Sequence, residues 1–444
     1  MAPVSSDSVP KFALIETMDG EDDGLVLLTV KCVFAPQQTR IVYVAFKANY
    51  DVHDAAENKV SMWDADHDDD ADRAAYHAAI DELSQTHIFP LLSGVPRDTL
   101  LWPTGGIPTF TLSTVDGSVQ LSPGMLESMK DIETQWLRSL PSIDTIISDN
   151  TPSAALYDIN DVVAVDYLDG GSRVAILAVL RDQPRIPYVA FYIPTVQGCV
   201  DHGYDRLAEA TLYEMAFLRT IRPHPHVISP PVGYISRVHD DKRVLCGYLL
   251  KYHPGGSLDQ PERIDAPIAT HIKWAYQVAS GLHHLHHVAH TYHGDIKLNN
   301  VVLDENGDAV IIDLEQGRAN EGNAAPELHA ASLVSVGDDG RLCYYTARAE
   351  KDATSAKRED EDEDGANTPL ASRDRPYDIW KDTPRAIEAA EVWAFATALG
   401  PLLANVDAAS AVLARCRSED PNSRPAFGEL EGFFRDLYQG QALP

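Results

Sequence analysis

Residues 293–300 constrain the fold of this chain more than any other segment. They are His-Gly-Asp-Ile-Lys-Leu-Asn-Asn, and two short apolar runs follow them, separated by a turn rich in Asp, Asn and Gly. The second apolar run ends at Asp313. This pattern predicts a loop, a strand, a tight turn and a second strand. Such a hairpin would bring Asp295, Asn300 and Asp313 close together at one end of its two strands.

These residue types suit phosphoryl transfer. In that reaction one carboxylate orients the attacking hydroxyl and accepts its proton, while a second carboxylate and an amide oxygen hold Mg²⁺ beside the phosphate oxygens. An ammonium group such as that of Lys297 can contact the transferring phosphoryl group. The segment therefore predicts a magnesium-dependent site for phosphoryl transfer.

The same residues resemble the catalytic loop of eukaryotic protein kinases, H-R-D-x-K-x-x-N, with Gly294 in place of the arginine. The resemblance extends over about residues 153–440. It implies that Asp295 is the catalytic base and that Lys297 contacts the phosphate, as in kinases of the serine/threonine type. It also implies that ATP is the phosphate donor.

The magnesium ligands are implied in the same way. Asn300 stands at the metal-binding asparagine of the loop, and Asp313 stands where kinases carry the aspartate of D-F-G. The triplet here is Asp-Leu-Glu, so Glu315 adds a second carboxylate that could lie near the metal.

Three later segments resemble protein kinase motifs and favour a protein substrate over a small molecule. Ala-Pro-Glu at 325–327 resembles the end of the activation segment, and Glu-Val-Trp-Ala-Phe at 391–395 resembles the start of the central helix. Residues 416–425 resemble the late C-x(3)-D-P-x-x-R-P motif. In the family the A-P-E glutamate pairs with the late arginine, which implies a pair between Glu327 and Arg424.

The resemblance also assigns residues of the small lobe. Glu214 matches the glutamate of the αC helix, and residues 249–258 resemble the hinge segment. Leu250 would stand at the gatekeeper position, and the backbone of Lys251 and of His253 would face adenine. These four residues are the implied nucleotide-binding set.

Two features with which protein kinases bind the phosphates of ATP are missing from this sequence. The strand that should be V-A-x-K is Val-Ala-Phe-Tyr, which puts Tyr192 at the lysine position, and no lysine occurs between Lys130 and Lys242. A tyrosine hydroxyl supplies no positive charge for the phosphates. The segment 168–172, Leu-Asp-Gly-Gly-Ser, suits a hairpin turn and does not match G-x-G-x-x-G.

Three functions stay open. The first is Mg-ATP-dependent transfer of phosphate to serine or threonine of a protein. The second is a pseudokinase, a scaffold or nucleotide sensor that lacks the phosphate-binding lysine. The third is a small-molecule phosphotransferase, because the triplet H-G-D at 293–295 also occurs in aminoglycoside and choline phosphotransferases. The H-G-D-I-K loop together with a long insert resembles the kinase-like proteins of filamentous fungi.

The predicted fold class is α+β, a bilobal protein kinase-like fold with a small antiparallel sheet and a helical lobe. Short apolar runs between turns predict a β-rich accessory domain at 1–145, to which the sequence assigns no role. The small lobe is expected at 153–253 and the helical lobe at 254–440. Dense charge predicts a disordered acidic insert at about 331–375.

Charge and cysteine content limit the partners. The chain has 36 Lys and Arg against 67 Asp and Glu, a formal charge of −31, which disfavours nucleic acid or an anionic membrane as the main partner. No apolar run reaches the roughly 20 residues that span a bilayer. Five separated cysteines indicate reduced thiols. We therefore expect a cytoplasmic or nuclear protein whose partners are ATP and a protein.

One short repeat connects the two N-terminal regions. Residues 40–46, Arg-Ile-Val-Tyr-Val-Ala-Phe, recur at 185–191 as Arg-Ile-Pro-Tyr-Val-Ala-Phe. The alternation of side chains predicts two similar strands, each with one buried face. Duplication of a β-hairpin is the alternative interpretation.

Overall fold

The structure is a computed structural model. It describes residues 10–19, 25–35, 38–47, 49, 52, 55–61, 70–101, 108–146, 155–168, 175–192, 204–314, 322–330, 333–337, 341–345 and 382–441. The chain divides into two compact units. The first unit is Met1–Met215 with Pro231–Tyr252, and the second is Ala216–Pro230 with His253–Pro444.

The first unit begins with a five-stranded sheet in the order β1-β2-β3-β4-β5. Strands β1 to β3 form an antiparallel meander, whereas β3 and β4 are parallel. Parallel strands need a crossover connection, and helices α1 to α4 lie in it. The elements are β1 Lys11–Asp19, β2 Leu25–Ala35, β3 Gln38–Lys47, α1 Asn58–Ser61, α2 Asp70–Leu83, α3 Phe89–Ser93, α4 Arg97–Leu101, β4 Thr109–Val115 and β5 Ser118–Pro123.

The second sheet of this unit has six strands in the order β6-β10-β11-β9-β8-β7. Strands β7 to β11 pair with one another in antiparallel fashion, as predicted for the small lobe. The short strand β6 pairs in parallel with β10 and was not predicted. The elements are α5 Glu127–Ser139, α6 Ile143–Ile146, β6 Ala155–Asp158, β7 Val162–Tyr167, β8 Ala175–Leu180, β9 Gln183–Tyr192, α7 Tyr204–Leu218, β10 Gly233–His239 and β11 Lys242–Lys251.

The two sheets of the first unit share one hydrophobic core, as stacked sheets do. The opposite face of the N-terminal sheet packs on its own helices through a separate core. Residues of the predicted accessory domain and of the predicted small lobe therefore lie in one compact unit. The fully buried members of the shared core are Leu27, Ile41 and Ala45 from the N-terminal sheet, Met129 from α5, and Ile176, Ala178, Leu180, Ala190, Ile235 and Leu249 from the second sheet.

Polar contacts join the same parts of the first unit. Lys31 of β2 forms an ion pair of 2.5 Å with Asp166 of β7. Arg237 of β10 pairs with Glu133 of α5 at 2.8 Å. The backbone N–H of Leu245 donates to a carbonyl in the segment that follows α5. These contacts orient the N-terminal sheet and α5 on the second sheet.

The repeat lies in the third strand of each meander. Ala45 in β3 and Ala190 in β9 belong to the shared core. Phe46 packs on the helix side of the N-terminal sheet, and Phe191 packs on the side that carries Tyr248.

Both segments of the repeat are strands, as predicted. The prediction of one buried face is wrong for β3, where residues 40–46 are all buried because the strand lies between two cores. Ile41 of β3 is fully buried, whereas the matching Ile186 of β9 is 49% exposed.

The second unit is mainly helical, as predicted, with two short hairpins. None of the helices in the described parts of the chain is long and apolar enough to cross a membrane. The elements are α8 Ile268–His287, β12 Val301–Leu303, β13 Ala309–Ile311, α9 Pro326–Ala330, β14 Leu333–Val336, β15 Leu342–Tyr345, α10 Pro384–Leu399, α11 Asp407–Cys416 and α12 Phe427–Gln441.

Part of the predicted disordered insert is ordered. Strands β14 and β15 pair antiparallel inside the interval 331–375. Leu342 is buried with Ala386 in one core. The backbone N–H of Leu342 donates a hydrogen bond of 2.7 Å to the side-chain oxygen of Asn422. The prediction was therefore wrong for 333–337 and 341–345, because apolar partners on α10 are distant in sequence. The acidic run at 358–364 lies outside the described residues.

The histidines of the second unit make its stability depend on pH. His224 stacks on His284 at 4.7 Å. Burial, and then repulsion from His284 and His226, lower the pKa of His224 to about 4. Because histidine titrates near 6.5 in an unfolded chain, the unfolded state binds the extra proton between pH 6.5 and 4. We therefore expect the free energy of unfolding to fall as the pH is lowered from 6.5 to 4.

Thermal unfolding from pH 7 to 4.5 tests this expectation. His224→Gln should reduce the acid-induced loss by about 1–2 kcal/mol, a value lowered for the partial exposure of the ring. His329→Gln, at an exposed position, is the matched control and should keep the wild-type pH dependence. An unchanged pH dependence in His224→Gln would contradict the assignment.

Candidate active site

The loop after α8 brings three of the predicted residues together. It ends in a 3-10 turn, Leu298–Asn300, that leads into β12. The Nζ atom of Lys297 lies 2.7 Å from Oδ2 of Asp295. The Nδ2 group of Asn300 donates to the backbone carbonyl of Asp295 at 2.9 Å and approaches its Oδ2 at 3.4 Å. The side chains of Asp295 and Lys297 keep 19% and 25% of their surface exposed, so both remain accessible.

His293 connects this loop to the strand that precedes Asp313. Its Nδ1 atom accepts from the N–H of Asp295 at 3.1 Å, so Nε2 carries the proton and donates to the carbonyl of Ile312 at 2.9 Å. The N–H of Ile312 in turn donates to the carbonyl of Asn300 at 2.9 Å. Both backbone groups of the residue before Asp313 are thus held by the catalytic loop.

Asp313 adopts a left-handed backbone conformation with φ of 65°. This region disfavours residues other than glycine, and such residues persist there when their surroundings fix them. The two hydrogen bonds of Ile312 and the pairing of β12 with β13 provide that constraint. The backbone that precedes Asp313 therefore fixes the position of this residue.

Glu391 supports the loop from α10. Its carboxylate accepts from the N–H groups of His293 at 3.0 Å and Gly294 at 2.6 Å, and from Nε2 of His286 at 2.6 Å. Gly294 has φ of 93°, a conformation that glycine adopts without a steric penalty. The sequence analysis placed Gly294 in the catalytic loop and Glu391 in the separate segment 391–395, and their separation of about one hundred residues concealed this contact.

Comparison with known proteins agrees with this geometry. Residues 200–333 match the family model described as protein kinase domain. This part of the chain is a protein kinase-like domain. A segment of 120 residues is 33% identical to salt tolerance receptor-like cytoplasmic kinase 1 of Oryza sativa subsp. japonica, covering 24% of this chain and 31% of that relative. The chain thus spans about a third of the length of the relative it matches.

The comparisons support a kinase-like function of the transferase class. The family match includes α7, the catalytic loop and the Ala-Pro-Glu segment. It does not include β7 to β9, the strands in which the glycine-rich loop and the lysine are missing.

The second unit contains the predicted pair of Glu327 and Arg424. Two hydrogen bonds of 2.5 and 2.9 Å join the guanidinium to the carboxylate. The guanidinium also donates to the backbone carbonyls of Ala389 and Ser418 and lies 5.0 Å from the ring centre of Trp393. The pair is buried, and additional hydrogen bonds of this kind offset the cost of removing both charges from water.

The predicted nucleotide-binding residues lie at the end of the second sheet. Glu214 of α7 is 1% exposed and accepts a hydrogen bond of 2.6 Å from the hydroxyl of Tyr248. Leu250 is buried in β11 opposite Val189, and Lys251 is the exposed last residue of that strand. His253 is half-buried just beyond β11.

Asn300 and Asp313 offer oxygen atoms of the kind that would suit a divalent metal ion bound together with a nucleotide. Asn300 uses its amide nitrogen as donor to the backbone carbonyl of Asp295, so its amide oxygen is the atom that would bind such an ion. In the described part of the chain no three His, Cys, Asp or Glu side chains form a metal-binding group. An ion at Asn300 and Asp313 would take phosphate and water oxygens as well, because Mg²⁺ is usually bound by one or two carboxylates together with such oxygens. Glu315, the third predicted ligand, lies outside the described residues.

Proposed function

We propose that the kinase domain binds Mg-ATP and transfers the terminal phosphate to a serine or threonine hydroxyl of a protein. The observation that carries the proposal is the hydrogen-bonded group of Asp295, Lys297 and Asn300, tied through Ile312 to Asp313. Such a constellation suits phosphoryl transfer, which depends mainly on positioning and charge stabilisation.

In this proposal Asp295 orients the hydroxyl of the substrate and accepts its proton. Lys297 lies against the same carboxylate and directs positive charge toward the transferring phosphoryl group. Asn300 and Asp313 would hold Mg²⁺, which when bound neutralises negative charge on the phosphates. The residues proposed to bind the nucleotide are Glu214, Leu250, Lys251 and His253.

The preference for a protein substrate is supported by the ion pair of Glu327 and Arg424, which fixes the end of the activation segment as in protein kinases. The matched relative is named a cytoplasmic kinase, and we propose the same location for this chain. ATP and a protein substrate are the proposed partners.

One observation favours a second candidate, a pseudokinase that binds a nucleotide without efficient transfer. Glu214 accepts a hydrogen bond from the neutral hydroxyl of Tyr248, and residues 131–241 contain no lysine. A site that lacks this positive charge would hold the nucleotide phosphates less firmly.

Thermal unfolding with ATP alone and with ATP plus Mg²⁺ tests the proposed nucleotide site. At a ligand concentration of 100 times Kd the wild type should gain about 2.7 kcal/mol, a shift that Asp313→Asn should lose. Asp407→Asn, at an exposed position of α11, is the matched control and should keep the shift. A magnesium-independent shift, or no shift, would contradict the proposal. A full shift without transfer to basic peptides or amino alcohols would favour the pseudokinase.

A further inference from the structure

We propose that Phe191, and not Tyr192, stands at the lysine position of this kinase domain, and that Tyr248 is the positioning residue that holds Glu214 in place of that lysine. This inference rests on the proposed function for its meaning in nucleotide binding. Its geometry rests on the second sheet and on Glu214 of α7, which lie in the first compact unit.

The first step is the orientation of β9. In register with β11, Ala190 pairs with Leu249 and Phe191 pairs with Tyr248. Ala190 and Leu249 are fully buried in the core shared with the N-terminal sheet. The ring of Phe191 stacks on Tyr248 at 5.1 Å with an angle of 10° between the planes. Phe191 and Tyr248 therefore share the opposite face of the sheet.

The second step is the position of Glu214. The hydroxyl of Tyr248 donates to Oε2 of Glu214 at 2.6 Å, and both residues are at most 1% exposed. Helix α7 thus contacts the face of the sheet that carries Phe191, not the face that carries Ala190. Since successive residues of a strand point to opposite faces, shifting the alignment by one residue exchanges the two faces. On the α7 face, the β9 residue beside Tyr248 is Phe191.

The third step is chemical. A buried carboxylate needs hydrogen-bond donors, and a hydroxyl that donates to a charged acceptor forms a short, strong bond. Tyr248 supplies this donor from the neighbouring strand β11. The hydroxyl is neutral, so it holds α7 against the sheet without adding the positive charge that the ATP phosphates would need.

Substitutions of two adjacent residues distinguish the two alignments by thermal unfolding. Tyr248→Phe should lower Tm by about 2–10 °C, because the buried carboxylate of Glu214 loses a donor. Adding Phe191→Lys should restore at least half of that loss, since the ammonium can reach Glu214 from the same face. Adding Tyr192→Lys is the matched control and should restore nothing. Rescue by Tyr192→Lys alone, or by neither lysine, would overturn the proposal.

The single variants Phe191→Lys and Tyr192→Lys, with Tyr248 unchanged, provide a second test by nucleotide affinity. This test does not depend on whether Tyr248→Phe folds. Phe191→Lys should tighten the Kd for Mg-ATP about tenfold, as one added charge-assisted hydrogen bond does, and Tyr192→Lys should leave it unchanged. The reverse order would overturn the proposal. A wild type that binds no Mg-ATP would refute the proposed function, whereas the thermal rescue would still decide which residue faces Glu214.

Discussion

Replacing Asp295 with asparagine is expected to lower the rate of phosphate transfer by about 10²–10⁴-fold, the contribution typical of a general base. Asparagine keeps the shape of the side chain and an oxygen for Lys297, but it cannot accept the proton of the hydroxyl. Tm and the Kd for Mg-ATP should therefore stay close to the wild-type values. The measurement is transfer of labelled phosphate from ATP to basic peptides or to the chain itself.

The control for this prediction is Asp407→Asn, which removes one carboxylate from the same unit far along the chain. It should transfer phosphate at the wild-type rate. Wild-type transfer by Asp295→Asn would show that the carboxylate is not the base. If the wild type binds Mg-ATP but transfers nothing, the pseudokinase becomes the better interpretation.

Removing residues 1–147 is expected to prevent the remaining chain from folding cooperatively. The deletion would expose the face of the second sheet that the N-terminal sheet covers, including Ile176, Ala178 and Leu249, which are fully buried in the shared core. Each large apolar side chain returned to water costs about 1.5–3 kcal/mol, and several such losses exceed the usual stability of a domain. Yield of soluble protein and thermal unfolding provide the measurement.

A deletion of residues 1–9 is the matched control, because it leaves the sheet that begins at Lys11 intact. It should unfold at the wild-type Tm. Leu27→Ala in the full chain should lower the free energy of unfolding by about 2–5 kcal/mol through the same core. Cooperative unfolding of the 1–147 deletion near the wild-type Tm would contradict the prediction.

The catalytic loop could be predicted from the sequence because its parts are close together in the chain. Asp295, Lys297 and Asn300 lie within six residues, and the hairpin that leads to Asp313 joins its two strands through a short turn at 304–308. Local turn preferences and the alternation of apolar residues fix such a segment. Its chemistry follows from residue types alone.

The sequence alone indicated the fold class and the catalytic loop, and its resemblance to protein kinases implied the pair of Glu327 with Arg424. Only the tertiary structure decided which face of β9 meets α7, because a strand offers two faces and its partner β11 lies more than fifty residues away. Only the tertiary structure revealed that Tyr248 holds Glu214 and that the N-terminal sheet shares the core of the small lobe. These contacts join residues distant in sequence, and no local pattern specifies which distant surface an apolar face will cover.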